Sequence, residues 1–584
     1  MATTLPTLVE PSVGQPVDLE AMTSPARLAP PGAARGDEHL NRAVLWTSGI
    51  AALGGLLFGY DTGVVSGVLL FLSSTFGHVT SFEKELVTGV LLIGAAAGAL
   101  SAGRLADRVG RRPTILITAA VFVAGVLGAA LSPTLWFLIT MRFVIGLAVG
   151  AASIAVPLYI GELAPPRARG ALVSLNQLAL TMGILTAFLV DYALSSSGDW
   201  RMMFGFAVLP AALLFVGMLT QSESPAWLAT HGRVDEARAV LRRVRSRDHD
   251  VEGEVADIRS LSRRVTSYRE LLRPDVRRVV VLGVLLAIFQ QITGINTVIY
   301  YAPTLLHQAG LGNAASLLAN VGIGSVNVLM TIMAIRLIDR VGRRRLLLIG
   351  TLGMAVALSV VAVVFAVGGS DLGSTGSLIA VVALAVYTGS FAVGLGPVFW
   401  LLISEIYPVR IRGLSMSVAA IANWATNFVV AISFLTLLST ISSAGTFFLF
   451  ALLTFVAVAY FWKRVPETRG LSLAQIETRD RLRTSQPRCS PRGSLRHTRS
   501  GAVAQRSPAQ TKRKDITHES LDTQCRHNPH RRDRHGHDGH GDGNPPPARG
   551  PRRRRLVTTR SVHQAGRGRR CHRSRRRHRR RTRR

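Results

Sequence analysis

The sequence predicts an all-α membrane protein with twelve transmembrane helices, arranged as two halves of six. Of its 584 residues, 48% are hydrophobic and only 17% are charged, which is more apolar than a soluble core requires. Twelve stretches are long enough to cross a membrane, since about 30 Å of hydrocarbon needs roughly 20 mostly apolar residues. Two unrelated loop motifs also recur in the same order six stretches apart, which indicates an internal duplication.

The twelve stretches are joined by polar connections, of which one is long and divides them into two groups of six. We place the helices near residues 44–72, 84–104, 113–132, 134–160, 170–195, 201–221, 276–307, 314–338, 345–368, 376–404, 412–438 and 444–463. Residues 222–275 form the long connection, where the pattern at 233–247 predicts a short amphipathic helix at the cytoplasmic surface. The halves are therefore expected at 44–221 and 276–463, followed by a short cytoplasmic segment at 464–478.

Basic residues predict how the chain is oriented in the membrane. They concentrate in the even-numbered connections: Arg104, Arg108, Arg111 and Arg112 in the second, Arg167 and Arg169 in the fourth, Arg336, Arg340, Arg343, Arg344 and Arg345 in the eighth, and Arg410 and Arg412 in the tenth. Since cytoplasmic loops carry the excess of Lys and Arg, we expect these connections and both termini in the cytoplasm, with the chain in the cell membrane. Residues 1–43, rich in Pro, Ala, Gly and Thr, predict a disordered cytoplasmic lead-in.

The two recurring motifs lie in these basic connections. The first runs from Asp107 to Arg112 after the second span, and again from Asp339 to Arg344 after the eighth, both times as D-R-V-G-R-R. The second, E-x-x-P-x-x-x-R-G, begins at Glu162 after the fourth span and at Glu405 after the tenth. Parallel repeats of six helices are typical of transporters whose site lies between the repeats near the middle of the membrane.

Three further segments complete a family pattern: Ser222–Pro225 after span six, Gln290–Asn296 in span seven and Pro466–Gly470 after span twelve. With the duplicated loops, they make residues 44–478 resemble the sugar porter family of the major facilitator superfamily. The resemblance implies the major facilitator fold and a proton-coupled hexose symporter of the bacterial type, working by alternating access. It also implies sugar and protons as substrates, the lipid bilayer as surroundings, and a monomer.

Two other functions of the same site are alternatives. One is a facilitative sugar uniporter, and the other is a membrane sugar sensor that has lost transport. An enzyme is not expected, because the sequence contains no nucleophile triad, metal-ligand cluster or phosphate-binding loop. We therefore expect no cofactor and no metal, and a proton gradient as the source of energy.

Two charged residues inside apolar spans are candidates for proton coupling. Asp61 lies in span one and Arg142 in span four, and a charge buried in a membrane helix costs several kcal/mol unless it is partnered or neutralised. We expect the two side chains to face each other, so that protonation of Asp61 releases Arg142 and favours closure around sugar. The resemblance implies the same roles; the alternative is a static ion pair that only fixes two helices.

Neutral amides in otherwise apolar spans suit a hexose, whose hydroxyls need donors and acceptors beside an aromatic platform. By resemblance, the sugar contacts are Gln177, Gln290, Gln291, Asn296, Asn327 and Asn423, with Trp400, Phe391 and Trp424 as the aromatic lining and Asn427 as a further candidate. The alternative for any one amide is a hydrogen bond between helices. Xylose-type porters tend to have Gln at the position of Ile184, and animal glucose carriers have Glu at the position of Ala392. Both differences favour a bacterial hexose symporter.

Gating is expected at two places. Tyr300 and Tyr301 resemble an outer gate on a mobile half-helix, unless they belong to an aromatic belt at the membrane interface. Gly394 and Pro397 are candidates for a hinge in span ten. The charged residues of the duplicated motifs are expected to pair across the two halves and to lock one state of the carrier; they are Asp107, Arg108, Arg111, Arg112, Glu162, Arg169, Glu223, Asp339, Arg340, Arg343, Arg344, Glu405, Arg412 and Glu467.

The last 106 residues, 479–584, differ from the rest. They hold 33 of the 68 Lys and Arg residues, 7 of the 34 Asp and Glu residues, and all three cysteines, Cys489, Cys525 and Cys571. Such a composition buries no core and predicts disorder. Three interpretations stay open: binding to anionic lipid, non-specific binding to nucleic acid without a specific partner, and translation of a shifted reading frame, which the abundance of Arg, Pro, Gly, Ala and His favours.

Overall fold

The computed structural model describes residues 42–165, 169–245, 250–261, 268–369, 372–408 and 411–467. Within these ranges all regular secondary structure is helical. Most of the predicted lead-in, the segment after residue 467 and the basic tail lie outside the described residues.

The first half contains six spans. They are α1 (Arg42–Phe76), α2 (Ser81–Val109), α3 (Arg111–Ala130), α4 (Leu135–Leu163), α5 (Arg169–Ala193), and α6 (Trp200–Gly205) with α7 (Val208–Leu219), which together form span six. Four short helices follow in the long connection: α8 (Pro225–Thr230), α9 (Val234–Val244), α10 (Val251–Leu261) and α11 (Tyr268–Leu271). α9 is the short helix that the pattern at 233–247 predicts.

The second half repeats this arrangement with two broken helices. Span seven is α12 (Pro274–Ile292) with α13 (Ile295–Gln308), spans eight and nine are α14 (Asn313–Val341) and α15 (Arg343–Gly368), span ten is α16 (Gly373–Val393) with α17 (Leu395–Ile406), and α18 covers Arg412–Arg464. The 53 residues of α18 are interrupted at Ser442, whose φ of 68° and ψ of 165° are not helical. The described residues contain eleven segments of membrane-spanning length, with α18 counted once. Because α18 forms both span eleven and span twelve, the total is the twelve spans predicted.

The ends of the helices follow from local chemistry. Thr80 caps α2 by accepting from the Glu83 amide at 3.3 Å, while the Thr80 amide donates to the Glu83 carboxylate at 2.8 Å. Between spans two and three the chain turns at Gly110, with φ 108°, and between spans eight and nine at Gly342, with φ 100°. Because side chains disfavour positive φ, these turns explain the glycine in both D-R-V-G-R-R motifs.

In the described residues, the most extensive contacts between the two halves involve three pairs of spans. Span two packs against span eleven, span five against span eight, and span one against span seven. We call the end of the bundle that carries the connection between spans six and seven the linker end, and the other the opposite end. The outward surface is rich in exposed large apolar side chains, such as Leu213, Val363 and Phe448, as lipid contact requires.

Close packing of spans one and five depends on glycine. A Cβ atom on Gly59 of span one would lie 1.9 Å from the carbonyl oxygen of Leu180 in span five. Small residues at such crossings let helix backbones approach and gain dispersion contacts. Gly59 therefore sets the distance between these two spans.

We predict that Gly59→Ala destabilises the protein by about 1–3 kcal/mol, the usual result of overpacking. Thermal unfolding in detergent measures the effect. Gly49→Ala is the matched control on the same helix, because a Cβ atom there would have nothing within 4 Å. Equal melting temperatures for the two variants would contradict the prediction.

Candidate transport site

The structure brings Asp61 and Arg142 together in the interior of the first half. An Nη1 of Arg142 lies 2.5 Å from Oδ1 of Asp61, and the two side chains are 1% and 2% exposed. Arg142 also donates from Nε to the Val87 carbonyl of span two at 3.1 Å, and its guanidinium lies over the Phe204 ring of span six at 5.6 Å. The second oxygen of Asp61, Oδ2, has no hydrogen-bond partner. The pair thus holds four spans together and keeps one carboxylate oxygen free.

Four of the predicted sugar-contacting amides form one hydrogen-bonded cluster between spans seven and eleven. Asn423 donates to Gln290 at 2.6 Å and accepts from Gln291 at 3.0 Å. Asn296 donates to Gln291 at 2.8 Å. The amides therefore satisfy one another, as buried polar groups must, and each hydrogen bond is one that a sugar hydroxyl can replace.

Hydrogen bonds at the same place connect the breaks in two helices. Span seven is interrupted at Gly294, which has φ 85°, and span ten at Gly394, where φ is −102° and ψ is −95°. Gln290 of span seven donates to the Leu395 carbonyl beside the break in span ten at 2.9 Å. In return, the Tyr387 hydroxyl of span ten donates to the Thr293 carbonyl at 2.8 Å. The two broken helices are thus joined at their breaks, where the amides lie.

The three aromatic candidates lie on spans ten and eleven. Trp400, on α17, is 37% exposed and packs edge-on against Phe399 with ring centroids 4.8 Å apart. Trp424 is buried and meets Phe58 of span one at 5.5 Å, so this contact joins the two halves. Phe391 is half-buried near the end of α16, three residues before the break. Of these rings, Trp400 has the exposed face that a ligand could use.

The remaining polar candidates are spread over several spans. Gln177 is half-buried on span five, and Asn327 is 4% exposed on span eight. Asn427 lies on span eleven one turn after Asn423 and is 4% exposed. No hydrogen bond joins Gln177 or Asn327 to the amide cluster among the described contacts.

Tyr300 and Tyr301 are buried on α13, 3% and 0% exposed, so the alternative of an interfacial aromatic belt is wrong. The Tyr301 ring stacks on Phe434 at 5.3 Å, and its hydroxyl donates to the Ala431 carbonyl at 3.3 Å. The Tyr301 hydroxyl also lies near Thr88 of span two, in the other half. These contacts suit a gate that joins the halves.

The charged residues at the linker end form the same arrangement in each half. In the first half, Arg111 pairs with Glu162 at 3.0 Å, and Glu223 accepts from the backbone amides of Arg111 and Arg112 at 2.9 and 3.2 Å. Ser224 donates to Glu162 as well. Asp107 lies one turn before Arg111 and contacts it at 3.1 Å, while Asp107 and Arg108 are exposed.

In the second half, Arg343 pairs with Glu405 at 3.1 Å, and Glu467 accepts from the backbone amides of Arg343 and Arg344 at 3.1 and 3.3 Å. Arg340 is exposed, and Arg412 donates to the Tyr407 carbonyl at 3.3 Å. The side chains of Arg169 and Asp339 lie outside the described part of the chain.

The two described ion pairs between different motifs form within a half, whereas pairing across the halves was predicted for this set of charges; that pairing stays a prediction. Arg111 with Glu162 and Arg343 with Glu405 each join loops of one half. The physical reason is local: the glycine turn directs two arginines back toward the helix ends of their own half. Arg112 there donates to the Leu219 carbonyl at 2.7 Å, and Arg344 to the Trp462 carbonyl at 2.6 Å.

Sequence reasoning missed two further buried carboxylates, Glu85 on span two and Asp191 on span five, both 0% exposed. Glu85 accepts from the amide and the hydroxyl of Thr436 at 2.8 and 2.9 Å, across the two halves. The signal was available, since both are acids in apolar stretches, as Asp61 is. Tyr387 carried no such signal, because its role depends on a break in another helix.

Comparison with known proteins agrees with this geometry. Residues 47–479 match the family model "Sugar (and other) transporter". The chain is 42% identical over 438 residues to a D-xylose transporter of Levilactobacillus brevis, covering 74% of this chain and 95% of that protein. It is 39% identical over 431 residues to the galactose-proton symporter of Escherichia coli, covering 73% of this chain and 92% of that protein.

A solved structure has the same fold. The inward open conformation of the xylose transporter XylE from E. coli superposes with a TM-score of 0.64 at 30% identity, covering 74% of this chain and 99% of that one. The predicted resemblance and the predicted twelve-span architecture are confirmed. The chain belongs to the sugar transporter family of the major facilitator fold, and it is a membrane transporter rather than an enzyme.

Proposed function

We propose that this protein is a proton-coupled hexose symporter that works by alternating access between its two halves. The observation that carries the proposal is the buried Asp61–Arg142 ion pair, one of whose carboxylate oxygens has no partner. The relative from E. coli named a galactose-proton symporter supports the same assignment.

Protonation of Asp61 gives the pair two states. While Asp61 is ionised, Arg142 is held at 2.5 Å and the two charges neutralise each other away from water. Once Asp61 is neutral, the guanidinium loses its counter-charge and turns to other acceptors. Arg142 already contacts spans two and six, so its release changes the packing of the half that encloses the sugar.

The sugar binds in this proposal at the amide cluster of Gln290, Gln291, Asn296 and Asn423, with its ring on the exposed face of Trp400. Amides offer both donors and acceptors, and an aromatic face packs against the weakly apolar ring. Because the cluster also joins the breaks in spans seven and ten, sugar that displaces its hydrogen bonds changes how α13 and α17 are held. Binding is thereby coupled to the tyrosines of α13.

We place the protein in the cell membrane with the linker end and both termini in the cytoplasm, since the Arg-rich connections all lie at that end. The charged residues of the duplicated loop motifs then hold the cytoplasmic helix ends together within each half, so that each half moves as a unit. The lipid-facing apolar surface and a monomer are consistent with this assignment.

Asp61→Asn tests the coupling. The amide cannot take up a proton, so we expect loss of sugar accumulation driven by an inward proton gradient, while exchange of labelled for unlabelled sugar at equal pH persists. Both are measured in proteoliposomes. Accumulation that survives in the variant would show that Asp61 is structural, and wild-type uptake that ignores the gradient would favour a uniporter.

Gln291→Ala tests the sugar site. It removes hydrogen bonds to Asn296 and Asn423, and we expect the apparent affinity for hexose in exchange to fall about tenfold, as the loss of one to two hydrogen bonds implies. The matched control is Gln221→Ala, an amide at the linker end that accepts from Thr47 at 2.6 Å and should leave affinity unchanged. Equal effects of both variants would contradict the assignment of Gln291 to the sugar site. Sugar binding without any uptake by the wild type would indicate a sensor.

A further inference from the structure

Asp191 is a buried carboxylate for which proton coupling at Asp61 gives no role. It lies near the end of span five and is 0% exposed. Its Oδ2 accepts from the Gly67 amide at 3.0 Å and from the Ser66 hydroxyl at 3.5 Å, both on span one. A Cβ atom on Gly67 would lie 2.4 Å from its carboxyl carbon, so span one covers this face of the carboxyl without room for water.

The cluster around Asp191 lacks one hydrogen-bond donor. Asn320 of span eight donates to the Ser66 hydroxyl at 3.1 Å, and Ser66 in turn faces Asp191. Two buried acceptors have no partner: Oδ1 of Asp191 and Oδ1 of Asn320. Leaving a buried acceptor unsatisfied is unfavourable, and more so when the group is charged. A proton on Oδ1 of Asp191 removes the charge and turns one of these acceptors into a donor.

Asp191 also has no cation. Among the described residues, none of the ion pairs involves it. Toward the end of the bundle where Asp191 lies, the titratable groups of the neighbouring helices are Tyr60 and Asp61 on α1, Arg142 on α4 and Arg201 on α6, and Tyr192 follows Asp191 on α5. Arg142 is paired with Asp61, and Arg201 donates to the Ser132 carbonyl at 3.1 Å. Span eight contributes the neutral Asn320, so no positive charge stabilises an ionised Asp191.

The cluster joins the two halves at the opposite end of the bundle. Ser66 and Asp191 belong to the first half and Asn320 to the second, and in this conformation all three are at most 1% exposed. Glu85 and Thr436 make a second polar contact between the halves at the same end. Opening this end for entry of sugar separates Asn320 from Ser66 and admits water to Asp191.

We propose that Asp191 is a second proton-binding site, which holds a proton while the opposite end of the carrier is closed and releases it when that end opens. The proton returns to the side from which it came, so it biases the conformational equilibrium without being transported. This role is independent of Asp61, and it holds equally for a symporter or a uniporter.

The sign follows from the exchange of one proton. The closed form binds the proton and is favoured at low pH, whereas the open form, with a hydrated carboxylate, is favoured at high pH. The ratio of open to closed form then rises by up to about tenfold per pH unit over the range in which the two forms differ by one proton.

Distances between spin labels on the two halves measure this equilibrium without sugar or gradient. The labels go on His78→Cys, between spans one and two, and Ser439→Cys, between spans eleven and twelve, both of which are exposed. The full chain is used, with its three tail cysteines replaced by Ser, since no others occur.

For the wild type in lipid nanodiscs between pH 5 and 9, we expect the long-distance population to grow as pH rises. Asp191→Asn should stay closed throughout, because a neutral amide replaces the protonated acid, while Glu85→Gln should keep the pH dependence. A wild-type distribution that does not change with pH overturns the proposal without any variant. A dependence that survives in Asp191→Asn, or disappears in Glu85→Gln instead, overturns it too.

Discussion

The constraint on which the rest of this structure depends is that the interior of a membrane offers no water to a polar group. Each polar group enclosed there must find a partner within the protein or give up its charge. Asp61 has Arg142 at 2.5 Å, and the amides of spans seven and eleven have one another. A second requirement follows for any such group that acts in transport. The partners that satisfy it at rest must be exchangeable for others.

The broken helices show how this constraint shapes the site. A break frees backbone carbonyls, to which side chains of neighbouring spans must donate hydrogen bonds. Gln290 and Tyr387 do so reciprocally, each reaching from one broken helix to the break in the other. The amides that can meet a sugar are thus also the groups that hold α13 and α17 in place. In the proposed function, sugar binding and gating therefore depend on the same hydrogen bonds, which is a reason for a polar site to lie where two helices are discontinuous.

Hydropathy was sufficient to place the twelve spans, because crossing a bilayer requires length and apolar character that any single stretch displays by itself. The pairing of Asp61 with Arg142 also followed from sequence, since two isolated charges in apolar spans have few other partners. The partners of Arg111 and of Arg343 did not follow from sequence. At a water-exposed end many partners are available, and the choice depends on the turn at Gly110 or Gly342. The burial of Tyr301 depends likewise on Phe434 and Thr88, which no local pattern connects to it.

Three buried carboxylates in the described residues are accommodated in three different ways, and the difference separates their roles. Asp61 has a full counter-charge, so its ionised form is stable and protonation releases a cation. Glu85 has no cation, but both oxygens receive hydrogen bonds from Thr436, so it is satisfied as long as the halves are in contact. Asp191 has neither a cation nor enough donors, and a proton is the one addition that supplies both neutrality and the missing donor. In the proposed function, the charge that changes during transport is that of Asp61, whereas protonation of Asp191 removes an unfavourable burial of charge that arises when the opposite end closes.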